Sequence, residues 1–87
     1  GDGNVHVNVL KDQLSDERWG EFIPDLREQI YTLTLSLGGT ITAEHGVGAT
    51  RRDYLPMALD QVQIDLMRRI RDCFDPHHIL NPGKIFP

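Results

Sequence analysis

Two imidazoles and a carboxylate stand out in the chain: His6, Glu44 and His45. These are ligand types that suit Zn²⁺ or a similar divalent ion, and an imidazole also titrates near neutral pH, as a general base must. The separation between positions 6 and 44 matches no compact metal-binding motif, so the competing reading is solvated side chains at the ends of elements. Special-geometry residues surround them: Gly1-Asp2-Gly3-Asn4 before His6, Gly46-Val47-Gly48 after His45, and Asn81-Pro82-Gly83-Lys84 near the end. Rigid scaffolds commonly present function at such junctions. The first two are not phosphate loops, because neither has the P-loop Lys-Ser/Thr or a full G-x-G-x-x-G ahead of a helix. His77-His78 follows a helix stop and reads as surface. Cys73, beside Phe74 on the expected apolar side of a helix, reads as an inert small hydrophobe.

Positioning these groups requires elements. Val5, Val7 and Val9 alternate with His6 and Asn8, the period-2 pattern of a strand, which would set His6 and Asn8 side by side on one face. Apolar residues at 19, 22, 23, 26, 30, 33 and 37 step as an amphipathic helix ended by Gly38-Gly39, and Pro24 places its start near residue 24. Thr40–Ala43 reads as a short strand leading into the Glu44–Gly48 turn. Leu59, Val62, Leu66, Ile70 and Phe74 mark a last helix with Asp60 at its start and Asp75-Pro76 at its stop. An extended tail follows.

Length and charge bound the rest. Eighty-seven residues with 39% hydrophobic and 25% charged composition allow one small domain. The net charge of −4 offers no basic field for nucleic acid. A single cysteine rules out an internal disulfide, and no apolar run approaches the roughly 18 residues of a membrane span. The chain opens on Gly1 directly in a crowded motif, which reads as a piece of a longer protein. A chain this short buries only about 60–65% of its unfolded surface.

Together and in order, GDGNVHVNV, GGTITAEHGVG and FDPHHILNPGKIF resemble the C-terminal part of the FAD-linked oxidases of the vanillyl-alcohol oxidase type, with D-lactate dehydrogenases, glycolate oxidases of the GlcD type and D-2-hydroxyglutarate dehydrogenases nearest. The resemblance implies an α+β fragment: residues 1–58 ending an antiparallel-sheet cap (substrate) domain with helices on one face, residues 59–87 forming a C-terminal helix and extended tail, and the FAD-binding domain outside the chain. It implies that His6 and Glu44 are two of three metal ligands, the third being a histidine two residues before Gly1. It further implies that Asn8 contacts substrate and that His45 is the base taking the hydroxyl proton. Arg51 stands where many relatives carry Lys, and its guanidinium suits bidentate contact with a substrate carboxylate as well as it suits plain solvent exposure. The tail around Lys84 is expected to return toward the flavin domain.

The expected function is oxidation of a D-2-hydroxy acid to the 2-oxo acid with FAD and a divalent metal, Zn²⁺ first and Mn²⁺ second. The electron acceptor would be a quinone or an electron-transfer protein, and the fragment alone would be inactive. The expected location is cytoplasmic, with peripheral membrane association of the full-length protein left open. The alternative is a stand-alone α+β ligand-binding or assembly module without catalysis. Unpaired edges beside Val5–Val9 or Thr40–Ala43 would favour self-association of the fragment.

Overall fold

A computed structural model describes residues 2–87. The elements run α1 (Asp16–Ser36), a single 3₁₀ turn (Arg52–Tyr54), α2 (Leu55–Ala58) and α3 (Gln61–Phe74). Among the described residues there is no strand, which corrects the expected antiparallel-sheet fragment. Alternating valines at 5–9 define faces, but a strand exists only when its N–H and C=O groups pair with a neighbour. Neither 5–9 nor 40–43 makes such a ladder here.

Helix α1 begins eight residues earlier than its proline suggested. The Arg18 N–H donates to Ser15 Oγ at 3.3 Å, and Asp16 and Glu17 lie in the first turn, where the helix dipole favours carboxylates. Pro24 lies inside the helix. Its ring would press on the carbonyl four residues back, and that residue is Gly20. The helix closes with a Schellman motif: the Gly39 N–H donates to Thr34 O (2.9 Å) and the Gly38 N–H to Leu35 O (3.0 Å), with Gly38 at φ +81°. A Cβ on Gly39 would stand 2.8 Å from Thr34 Cγ2 and 3.0 Å from its carbonyl oxygen, so this exit depends on glycine.

Helix α3 starts on a full capping box. The Gln63 N–H donates to Asp60 Oδ1 (2.8 Å) and the Asp60 N–H to Gln63 Oε1 (3.0 Å). Its interior face is not the expected one. Ile64 is 2% exposed, whereas Val62, Leu66, Ile70 and Phe74 range from 54% to 83% exposed. Cys73 is exposed as well. Periodicity located the stripe, but nothing among the described residues covers it.

The core is correspondingly small: Ile41, Leu55 and Ile64, each from a different segment. Tyr54 ties α2 to α1, its ring 5.1 Å edge-on from Tyr31 and its hydroxyl donating to Pro24 O at 3.4 Å. The radius of gyration is 15.3 Å, against about 12 Å for a compact chain of this length. Much apolar surface therefore stays open, and the stripe of α1 is turned toward a groove instead of a packed interior.

Candidate active site

The groove lies between the apolar side of α1 and the N-terminal arm. Trp19, Ile23 and Ile30 line one wall, Val5 and Val7 the other, and the residues 40–45 close an end. Its volume is about 1100 Å³, wider than most small-molecule pockets, which run to roughly 1,000 Å³.

His6 and Glu44 meet at that end. His6 Nε2 lies 3.1 Å from Glu44 Oε1, and His45 Nε2 lies 3.6 Å from the same oxygen. The two imidazole rings face each other edge-on with centroids 5.9 Å apart. One donor atom from each of the three residues falls within 4.8 Å of the others. Their adjacency along the chain would ordinarily send Glu44 and His45 apart. A sharp bend follows them instead, with Gly46 at φ +75° and Gly48 at φ +57°, backbone that other residues adopt only with strain. All three side chains are more than half exposed, so the bare ion pairs contribute only about 0–1 kcal/mol each.

The turn is braced from its own chain. The Arg51 N–H donates to Val47 O (3.1 Å) and Arg51 Nη1 to Gly46 O (3.2 Å). Arg51 lines the groove, but Asn8 does not and is exposed. Thr42 also lines the groove, and its buried hydroxyl has no hydrogen-bond partner. Sequence reading passed over Thr42, whose only signal is its place two residues before Glu44. An unpaired buried hydroxyl costs about 1–3 kcal/mol, which a bound polar group would recover.

The remaining histidines lie elsewhere. His77 is exposed after α3. His78 Nε2 is 2.7 Å from Asp72 Oδ1, and Arg71 Nη2 donates to the same oxygen at 2.8 Å. The Arg71 guanidinium first, and His78 second, hold the Asp72 carboxyl below the usual carboxylate range.

Residues 1–85 match the family described as FAD linked oxidases, C-terminal domain. The chain belongs to this family. Among its relatives, a D-2-hydroxyglutarate dehydrogenase of Stutzerimonas stutzeri is 41% identical over 88 residues, covering 99% of this chain and 19% of that protein. The glycolate oxidase subunit GlcD of Bacillus subtilis is 42% identical over 86 residues, 99% of this chain and 18% of its own length. A D-lactate dehydrogenase of Archaeoglobus fulgidus is 42% identical over 85 residues, 98% of this chain and 18% of its own. The chain thus spans about a fifth of the length of these relatives.

Within this FAD-linked oxidase domain the donor set itself fits a divalent ion. Ligand atoms about 2.0–2.2 Å from one ion stand about 3–4 Å from each other, and the two contacts to Glu44 Oε1 fall in that interval. The described residues build no nucleotide cradle: α1 and α3 are each entered through a polar cap, Ser15 and Asp60, and not through a glycine-rich turn. No helix among them is long and apolar enough to cross a membrane.

Proposed function

We propose that this chain is the C-terminal, site-bearing part of a flavoprotein that oxidises a D-2-hydroxy acid to the 2-oxo acid, with residues 1–58 carrying the site and 59–87 forming its helix-and-tail support. The observation that supports this reading most is the convergence of His6, Glu44 and His45 at the end of an apolar groove in a member of the FAD-linked oxidases.

His6 and Glu44 would hold a divalent ion, Zn²⁺ or Mn²⁺, together with a ligand from outside the chain. When bound, that ion supplies Lewis-acid charge at the substrate hydroxyl, and FAD, held mainly by another part of the protein, accepts the hydride from Cα and passes electrons to a quinone or electron-transfer protein. His45 accepts the hydroxyl proton at Nε2, the nitrogen facing the cluster. Arg51 lines the groove and has N–H donors beyond the one on Gly46 O, available to a substrate carboxylate. Asn8, on the same arm as His6, contacts substrate with its amide. The apolar walls from Trp19 and Ile23 exclude water from the reacting atoms.

The test is steady-state oxidation of a D-2-hydroxy-acid panel by the complete flavoprotein and its His6→Ala, Glu44→Ala and His45→Ala variants, with flavin and bound metal assayed in each. Flavin is expected to stay in all three, and metal to leave only the first two. His45→Ala should lose turnover by about 10²–10⁴-fold, the range for a positioned acid–base group. Normal turnover in all three variants overturns the reading, and metal loss in His45→Ala moves that residue from base to ligand.

A further inference from the structure

The C-terminal tail reaches back to the turn that carries Glu44 and His45. The Ile85 N–H donates to Gly48 O at 2.7 Å, and Arg52 Nη1 donates to Gly83 O at 3.1 Å. One residue further on, the Phe86 ring lies 5.4 Å from the Arg68 guanidinium carbon and 5.1 Å from that of Arg71, and Arg68 Nη2 donates to Pro87 O at 3.3 Å. Cations at such distances from an aromatic ring are attracted by its quadrupole.

The backbone between these anchors is strained. Ile85 is β-branched, yet it sits at φ +70°, where such side chains are outliers. The Phe86 N–H donates to Lys84 O at 2.8 Å, which makes Ile85 the centre of a γ-turn of the rare, positive-φ kind. Relaxing that γ-turn would turn the Ile85 N–H away from Gly48. The strained form persists only where neighbours over-determine it, and the neighbours on either side are Arg52 at Gly83 and the two arginines at Phe86.

We propose that Phe86 is a positioning residue for the Glu44–Gly48 turn: engaged by Arg68 and Arg71 of α3, it keeps the strained Ile85 N–H on the Gly48 carbonyl and so sets where Glu44 and His45 stand. The functional part of this inference rests on the proposed site. Its mechanical part stands apart, because coupling between the tail and the turn exists whether or not the cluster holds a metal. Phe86 touches neither substrate nor metal and acts through the backbone of the turn.

The test uses the complete flavoprotein with Phe86→Leu, which keeps an apolar side chain and removes the ring, and Phe86→Tyr, which keeps the ring. Amide exchange across residues 44–50 is expected to quicken at least fivefold in Phe86→Leu, to stay near wild type in Phe86→Tyr, and to change in neither across residues 20–30. Zn²⁺ affinity, measured by competition with a chelator, is expected to fall about tenfold in Phe86→Leu, as for other residues that orient ligands, and to return in Phe86→Tyr. Unchanged exchange across 44–50 in Phe86→Leu overturns the proposal. If that variant fails to fold, Arg68→Met decides by the same exchange measurement, faster exchange supporting the coupling and wild-type exchange refuting it. A wild-type protein that binds no Zn²⁺ or Mn²⁺ would defeat the proposed metal site, while the exchange data would still decide the coupling.

Discussion

The N-terminal arm, residues 2–10, and the C-terminal tail, residues 76–87, both lie outside the helices and are exposed along almost all their length. They are held very differently. The tail is fastened at its root by Asp75, only 6% exposed, whose two carboxylate oxygens accept from the Ile79 and Leu80 N–H groups at 3.0 Å each. Arg52, Gly48, Arg68 and Arg71 then hold it at its far end. In the arm, the polar tie among the described residues is His6 on Glu44. Ordering backbone costs about 1–2 kcal/mol per residue, more than one exposed ion pair returns. The tail is therefore support, and the arm takes its order from whatever binds at the site.

The comparison can be broken most directly by metal. With Zn²⁺ at a hundredfold excess over Kd, binding contributes about 2.7 kcal/mol to the ordered state. Amide exchange across residues 5–9 of the complete flavoprotein should slow by up to about a hundredfold, with residues 79–87 unchanged and the effect lost in Glu44→Ala. Equal slowing in both segments would erase the distinction between them.

A smaller effect should isolate the tail. Asp75→Ala leaves two amides without acceptors, at about 1–3 kcal/mol, so exchange at Ile79 and Leu80 should quicken several-fold or more while residues 5–9 keep their wild-type rate. Wild-type protection at both amides would show that the tail root does not depend on this carboxylate.

The smallest effect is one of pH. The Asp72 carboxyl is held below its ordinary value of 3.8, mainly by Arg71 and then by His78. A lowered folded-state pKa means the contribution is present above the unfolded value and is lost as pH falls through the folded one. Contact between His78 and Asp72, followed by the His78 ring resonances, should persist at pH 5 and weaken only below the ordinary carboxylate range. Asp72→Asn should abolish that transition, and a transition near pH 6 would contradict the assignment.

Local signals were read well where the physics is local. Asp60, with Gln63 three residues on, forms a capping box, and Gly38-Gly39 ends α1, because caps involve only residues within one turn. Pro24 misled by the same locality: a proline marks a helix start on average, but Ser15 with Asp16 and Glu17 made a stronger one, and Gly20 stood where the ring needed room. The valines at 5, 7 and 9 and the stripe at 62, 66, 70 and 74 misled for the opposite reason. Their pattern is real, but which surface covers them is not a property of the segment, and the expected self-association rested on that uncovered surface.

Residue types alone carried the chemistry of the candidate site: two imidazoles, a carboxylate and the glycines that permit a tight turn are all present before any folding is considered, and motif order was enough to indicate the family. The meeting of His6 with Glu44 and His45, the separation of Asn8 from the groove, the unpaired hydroxyl of Thr42 and the grip of the tail on Gly48 were decided only in three dimensions. Contacts of that kind join residues tens of positions apart. Their free energy depends on closing the chain between them, and no periodicity within a single segment records it.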